Sequence, residues 1–171
     1  MPHLVVEMTR YLADQIGTEK AKNFITAFTQ WRQAGAGFFD HPWFGWDNPY
    51  ERPQPTDKNA DWTLYHVHLA PFKPNPTDFE DAEEGALEAA QKTYDDWMNS
   101  KNKKQRRPTS DDVLVYAWDK TPTRPRFLLI DILASPNAHK IARMKSNEDK
   151  ERMLAYLTVA EQYVYFSKIT V

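Results

Sequence analysis

The chain has 171 residues, of which 41% are hydrophobic and 13% aromatic, which is enough apolar material for one globular domain and excludes a disordered chain. The absence of cysteine excludes disulfides, thiolate nucleophiles and zinc–thiolate sites, and a net charge of −2 argues against a strongly basic nucleic-acid binder. No apolar run is long enough to span a bilayer and the first residues lack a secretory signal, so we expect a cytoplasmic protein.

The N-terminal part is predicted to contain a short strand and a helix. Residues 3–9 are predicted to form the strand, with the start of a helix as the alternative, and an apolar stripe with helical spacing then runs from an N-cap at Thr18 to a stop at Gly35. Residues 38–55 are rich in proline and aromatic side chains, which predicts a loop rather than a central strand. Some of these aromatics fit either a core or lid role or the stacking of unpaired bases, namely Trp43, Phe44, Trp46 and Tyr50.

An acidic helix follows the first convincing strand. The strand covers residues 62–70, and a capping box that begins at Thr77 starts a helix ending near Asn99. The helix is strongly acidic whereas residues 101–171 are basic, so a polyanion can dock on the C-terminal part if the acidic stretch is kept away from it. We interpret residues 77–106, which end in a basic linker, as a helical insertion.

The remaining elements complete a small α+β domain. Residues 113–119 and 127–133 are predicted strands joined by a polar turn that contains two prolines. Ser146 then caps a final helix that has Asp149 at its third position. The order of elements predicts a small three-stranded antiparallel meander packed with N-terminal and C-terminal helices. We expect a single domain over residues 1–171, with one inserted acidic helix.

Two histidines occupy alternate positions on the first of these strands. Because side chains alternate along a strand, His66 and His68 share one face, while Tyr65, Val67 and Leu69 are expected to face the core. The imidazoles then face solvent or a cleft. An imidazole titrates near neutrality and is a natural proton acceptor from a ribose 2′-hydroxyl. The alternative is a pair of solvent-facing histidines on a half-exposed strand.

A third histidine lies in a predicted basic loop directly after the last strand, where a loop can present side chains over the sheet. His139 is placed to protonate a leaving 5′-oxygen, and Lys140 and Arg143 to neutralise the phosphate. The alternative is a basic loop that only helps to start the final helix.

A metal site is a further alternative. A His-x-His pair with a distant third histidine is a known zinc arrangement, and it would use His66, His68 and His139. Against it, no acidic residue or fourth ligand stands near either histidine segment in the sequence. Asp131, in the last strand, is instead expected to orient a histidine from behind. The preferred interpretation therefore assigns no metal and no cofactor.

Five segments form a recognisable set in chain order: FGWDNPY at 44–50, HVHLA at 66–70, DVLVY at 112–116, LLIDIL at 128–133 and AHKIAR at 138–143. Together they resemble the YafO family of bacterial toxins, the toxin halves of type II toxin–antitoxin pairs. The resemblance covers roughly residues 20–76 and 107–166 and leaves the acidic helix outside.

This resemblance implies a ribosome-dependent endoribonuclease that cleaves mRNA during translation until a cognate antitoxin protein binds it. It also implies kinship with RelE-like toxins, whose helices pack on an antiparallel sheet and whose catalytic side chains lie on the strand matching 62–70 and just after the last strand. His66, His68 and His139 fall at these places. One of the first two would remove the 2′-hydroxyl proton, and His139 would protonate the 5′-oxygen.

The chain departs from the RelE-like pattern at the start of the strand at 113–119. These enzymes often place an arginine there, whereas this chain has Asp111 and Asp112. Charge stabilisation is therefore expected from basic side chains elsewhere. The competing interpretation is a non-catalytic protein that blocks translation or binds a protein partner. The residues expected to contact RNA are Lys140, Arg143, Arg107 of the Arg106-Arg107 pair, and Tyr116.

Overall fold

The computed structural model describes residues 3–35, 41–82, 84–101, 109–120, 123–134 and 137–167. Its strands are β1 (Val5–Met8), β2 (Phe44–Pro49), β3 (Trp62–Leu69), β4 (Val113–Asp119) and β5 (Arg126–Leu133). Its helices are α1 (Arg10–Ile16), α2 (Thr18–Gln33), α3 (Ala86–Lys101), α4 (Asn137–Ala142) and α5 (Asn147–Phe166), with a 3₁₀ turn at Pro76–Phe79. None of these described helices is both long and apolar enough to cross a membrane.

The described strands form one sheet in the order β1-β5-β4-β3-β2. Strands β3, β4 and β5 are consecutive antiparallel neighbours, β2 pairs antiparallel with β3, and β1 adds parallel to β5. The strand predicted at 3–9 is present as the shorter β1, and the three predicted for the meander are confirmed to within one residue at each end. They are rich in β-branched and aromatic side chains, which is why the pattern alone locates them.

Each face of the sheet carries its own apolar core. On one face Tyr65, Val67 and Leu69 pack with side chains of α1 and α2, as the alternation along β3 predicts. On the other face Trp62 and Leu64 pack with side chains of α4 and α5. Helices therefore cover both faces, and the second face is not the solvent face of a half-exposed strand. The two imidazoles of β3 continue this second face beyond Leu64.

Three N-terminal features differ from the prediction. Helix α1 precedes α2 because the side chain of Thr9 caps it by accepting a hydrogen bond from the Leu12 amide at 3.3 Å. Gly17, with a φ of 85°, separates the two helices and occupies the cap position predicted for Thr18. Within the predicted aromatic loop, β2 forms an edge strand, where Pro49 is tolerated because an outer edge needs no amide.

The acidic helix begins later than predicted. The side chain of Asn75 caps the 3₁₀ turn by accepting a hydrogen bond from the Thr77 amide at 3.3 Å, so the capping box predicted to start at Thr77 is wrong. Helix α3 begins at Ala86, directly after Gly85, whose φ of 84° is a left-handed conformation that interrupts a helix. Of the basic linker predicted at 101–107, Lys101 ends α3, and the rest lies outside the described residues.

The C-terminal helix begins where the sequence predicts. The Ser146 hydroxyl accepts a hydrogen bond from the Asp149 amide at 3.1 Å and so caps α5. The segment before it, predicted as a loop, instead contains the short helix α4. Because Ala138 and Ile141 are buried in the core of the second face, α4 is fixed against the sheet next to β3.

Candidate active site

The three histidines singled out from sequence come together at one end of the second face. Strand β3 carries His66 and His68 beyond the half of the strand that joins the apolar core, and α4 brings His139 over the same end. The ring centroids of His66 and His68 are 5.4 Å apart, and those of His68 and His139 are 6.2 Å apart. These three residues are called the imidazole cluster below.

The main chain holds His68 in one tautomer. Its Nδ1 lies 2.5 Å from the carbonyl oxygen of Ser110, a contact that requires a proton on Nδ1. The amide nitrogen of Ser110 lies 3.2 Å from the same atom, and the shorter contact to the carbonyl decides the tautomer. Burial lowers the pKa of His68, although the hydrogen bond to Ser110 opposes this shift. At pH 7 His68 is therefore neutral, with its lone pair on Nε2.

Ser110 is itself fixed by hydrogen bonds, so the tautomer of His68 is built into the fold. Its hydroxyl donates to the carbonyl of Leu69 at 2.5 Å and lies 3.0 Å from the carbonyl of Asp112. These bonds tie the segment that enters β4 to the end of β3, where His68 lies. This role of Ser110 is not predictable from the sequence, because a serine that holds a histidine through its backbone has no distinctive spacing.

His66 packs against Tyr50, with ring centroids 4.6 Å apart. Its Nδ1 is buried and has no hydrogen-bond partner among the residues that the structure describes, so Nε2 is the nitrogen that a ligand can reach. Burial, followed by the charges of His68 and His139, lowers the pKa of His66 to about 4. His66 is neutral at pH 7, but such a low pKa makes it a weak proton acceptor.

His139 is the exposed member of the imidazole cluster. Its Nε2 lies 3.2 Å from Oδ1 of Asp111, and the two side chains are 55% and 50% exposed. This contact orients the ring, and it becomes an ion pair when the imidazole is protonated. Sequence reasoning noticed Asp111 only as a departure from the RelE-like pattern. Its role depends on the placement of α4 over the start of β4, which the sequence alone does not reveal.

Two cavities open on either side of His139, which lines both of them. The tyrosine-side cavity has a volume of about 270 Å³, and the helix-side cavity has a volume of about 410 Å³. The lining of the tyrosine-side cavity includes Pro49, Tyr50, Glu51, His66, Ala138 and His139. The lining of the helix-side cavity includes His68, Thr93, Asp96, Ser110, Asp111 and His139.

The residues predicted to contact RNA are placed unequally. Lys140 and Arg143 are exposed, one within α4 and the other directly after it. Tyr116 is fully buried on the opposite face of the sheet, where its hydroxyl donates to Asp47 at 2.8 Å. A ring in that position does not reach a ligand at the imidazole cluster, so the assignment of Tyr116 is corrected. Arg107, like the neighbouring Arg106, lies outside the described residues.

Asp131 does not have the orienting role expected from sequence. Its carboxylate accepts hydrogen bonds from Nη2 of Arg152 at 3.1 Å and from the hydroxyl of Tyr156. The histidine-orienting carboxylate is Asp111 instead. In the parts of the chain that the structure describes, no group of three or more histidine, aspartate or glutamate side chains is arranged to hold a metal ion.

Comparison with known proteins places the chain in a toxin family. A family model for toxin YafO of type II toxin–antitoxin systems matches residues 29–165. The matched range contains β2 to β5 and all three members of the imidazole cluster. No curated protein and no solved structure matches the chain.

Proposed function

The chain belongs to the YafO family of type II toxin–antitoxin toxins, and from its imidazole cluster we propose that it is an endoribonuclease that cleaves mRNA on the ribosome and so arrests translation. The observation that carries the proposal is the convergence of His66, His68 and His139 beside two open cavities. Imidazoles in different protonation states supply both a base and an acid. The partners of this function are mRNA held by the ribosome and a cognate antitoxin protein.

His68 is the better general base of the two histidines on β3. Its Nδ1 proton is engaged by Ser110, which leaves the lone pair of Nε2 available to accept a proton. His66 has a pKa of about 4, so transfer of a 2′-hydroxyl proton to it is much less favourable. We therefore assign the base to His68, and His66 is an uncharged side chain that lines the neighbouring cavity.

His139 is the general acid. It lies 6.2 Å from His68 between ring centroids, a separation at which the two rings can flank one phosphodiester. Asp111 holds the His139 ring and pairs with its protonated form. An acid and a base on opposite sides of a phosphate are what an in-line displacement needs, and each contributes about 10²–10⁴-fold to the rate.

The reaction balances without any further reactant. The 2′-oxygen forms a bond to phosphorus while the bond from phosphorus to the 5′-oxygen breaks. The 2′-hydroxyl proton moves to Nε2 of His68, and a proton of His139 moves to the departing oxygen. The products are a 2′,3′-cyclic phosphate end and a 5′-hydroxyl end, and the nucleophile comes from the substrate, so no cofactor is required.

Positive charge for the phosphates comes from the segment around α4. Lys140 and Arg143 are exposed next to His139, and their charges are available to the RNA backbone on either side of the cut. The immediate surroundings of the imidazole cluster also contain Asp111 and Asp96, which disfavour free polyanions. Positioning by the ribosome is therefore a large part of the rate, and activity on free RNA is expected to be weak.

Induced expression of the wild-type chain and of His139→Ala tests the proposal. We expect growth arrest and discrete 5′-hydroxyl ends on cellular mRNA with the wild type, and neither with a folded His139→Ala protein. Because the His139 side chain is 55% exposed, the substitution should leave the urea unfolding midpoint almost unchanged. Full cleavage by the folded variant would show that His139 is not the acid.

Two other functions predict different results in the same experiment. A protein that blocks translation by occupancy arrests growth and leaves no new mRNA ends. A metal-dependent hydrolase that uses the three histidines loses cleavage when a chelator is added to a translating extract. Chelation must leave ribosomes active, so residual protein synthesis before toxin addition is the control.

A further inference from the structure

We infer that the two cavities beside His139 are subsites for consecutive nucleotides of mRNA, and that Asp96 on α3 selects the base on the 5′ side of the cut against uracil. The inference rests on the proposed function, because it takes the assignment of His68 and His139 as base and acid. It concerns a helix whose place next to the imidazole cluster the sequence did not predict.

His139 lies between the two proposed nucleotide subsites. His139 lines both cavities, and the 270 Å³ and 410 Å³ volumes lie at or just below the small end of the range for small-molecule pockets, about 300–1,000 Å³. Each cavity is therefore suited to one nucleotide rather than to a longer segment. A phosphate held at His139 then joins one nucleotide in each cavity.

The direction of the RNA follows from the chemistry. The 2′-hydroxyl that attacks belongs to the nucleotide on the 5′ side of the broken bond. Since its proton goes to His68, this nucleotide lies in the helix-side cavity, which His68 lines. The nucleotide on the 3′ side lies in the tyrosine-side cavity, where Pro49, Tyr50 and Ala138 supply apolar surface for the faces of its base.

Helix α3 forms the outer wall of the helix-side cavity. Trp97 is only 1% exposed and therefore anchors α3 to the rest of the protein. Thr93 and Asp96 are three residues apart, so they are on the same side of the helix, and both line the cavity. Thr93 also lies one turn before Trp97. The side of α3 that faces the imidazole cluster is thus fixed by a buried side chain.

This wall offers hydrogen-bond acceptors to a base. The Thr93 hydroxyl donates its proton to the carbonyl of Ala89 at 3.0 Å, so only its lone pairs remain for a ligand. Oδ2 of Asp96 accepts a hydrogen bond from Lys92, and Oδ1 is a second acceptor on the same carboxylate, which lines the cavity. A carboxylate accepts hydrogen bonds from the amino groups of cytosine, adenine and guanine. Uracil has no amino group, and the one N–H on its pairing edge lies between two carbonyl oxygens that a carboxylate repels.

Mapping 5′ ends on cellular mRNA after induction tests this inference. We expect the share of wild-type cuts that follow a uridine to be smaller than the share of uridine among the nucleotides of the mapped mRNA. Asp96→Asn introduces an amide N–H that can donate to the uracil oxygens, so the share of cuts after uridine should rise by about fivefold, the lower end of discrimination by one base-edge contact. Asp95→Asn is the matched control, because Asp95 is on the same helix, pairs with Gln91 at 2.9 Å and does not line the cavity.

The outcomes separate the inference from the proposed function. A wild type that cuts mRNA with no bias against uridine, or with a bias that Asp96→Asn leaves unchanged, overturns the role of Asp96 and leaves the nuclease standing. An equal change in Asp95→Asn assigns the effect to the charge of α3 rather than to a base contact, which also overturns it. A wild type that leaves no ends at all overturns both.

Discussion

Nδ1 of His68 and the main-chain carbonyl of Ser110 lie 2.5 Å apart, and this single bond decides which nitrogen of His68 faces a substrate. The base of the proposed reaction is thus oriented by backbone and not by a carboxylate. A backbone carbonyl carries no full charge, so it fixes the tautomer without raising the pKa of His68 above its usual range, and burial lowers that pKa instead. The imidazole of His68 is therefore neutral at pH 7.

Replacement of His68 by two different side chains separates its chemical role from its structural one. An asparagine at this position can still donate to the Ser110 carbonyl but has no lone pair at the place of Nε2. His68→Asn should therefore fold with near wild-type stability and cleave mRNA about 10²–10⁴-fold more slowly in a translating extract. His68→Ala should lose the same activity and also about 1–3 kcal/mol of stability in urea, since the Ser110 carbonyl loses its partner. Wild-type cleavage by His68→Asn would exclude His68 as the base.

The stability of the protein should fall between pH 7 and pH 5. His66 has a pKa of about 4 in the folded protein and an ordinary value near 6.5 in the unfolded chain. Below pH 6.5 the unfolded chain binds a proton at this position that the folded protein does not bind, so stability is complete above this pH and is lost as the pH falls toward 4. At pH 5, His66 lowers the free energy of unfolding by about 2 kcal/mol relative to its value above pH 6.5.

His66→Phe is the variant that checks this pH dependence. Phenylalanine preserves a flat ring against Tyr50 and removes the buried Nδ1 that has no partner. Urea unfolding at both pH values should therefore show a smaller loss of stability for the variant than for the wild type. Part of the loss remains, because the pKa of His68 is lowered too. Identical losses in the two proteins would contradict the burial of a neutral His66.

Sequence reasoning located the parts of this molecule whose signals are local. The strands β3 to β5 follow a period-two pattern, and Ser146 is followed at the right spacing by the amide that it caps. The three histidines were found because they stand next to these strands, at places that match a known toxin family. Residue type and strand alternation were enough to put His66 and His68 on one face.

The rest depends on contacts between segments distant in sequence. Strand β2 owes its existence to pairing with β3 and looks like a proline-rich loop by composition. Asp111 contacts His139 only because α4 folds back over the start of β4. Tyr116 points into the core on the opposite face of the sheet, because side chains alternate along β4. The wall that α3 adds to the site depends on where Trp97 is buried; helical spacing marks Trp97 as an apolar position but does not indicate which part of the fold it packs against.

Asp111→Asn should reduce cleavage without weakening the fold. The substitution removes the charge that pairs with protonated His139 and loosens the orientation of its ring, and a misplaced reacting group costs up to roughly 100-fold in rate. Because the pair is half exposed, its effect on stability should stay below about 1 kcal/mol. Asp14→Asn is the control, since it breaks an exposed pair with Arg10 on a helix of the other face. Equal activity of the two variants would remove Asp111 from the site.

Asp131→Ala should do the reverse, with a large loss of stability and no loss of activity in the protein that remains folded. Asp131 lies on the same face as His66, with Val115 between them in the sheet. Its side chain is 2% exposed and accepts hydrogen bonds from Arg152, Tyr156 and the Ile132 amide, so its removal takes an acceptor away from three donors, although Arg152 still donates to the Tyr156 hydroxyl. Because Arg152 is 42% exposed and water can replace part of its bonding, the cost should be about 1–3 kcal/mol, which a urea titration measures directly. Tyr156→Phe removes only one of the donors to Asp131 and should cost about 1 kcal/mol.

Cleavage rates divided by the folded fraction should match the wild type in both variants, because neither Arg152 nor Tyr156 lines the two cavities. A deficit in Asp131→Ala that persists after this correction would mean that the carboxylate acts on the histidines through the sheet, as the sequence first indicated.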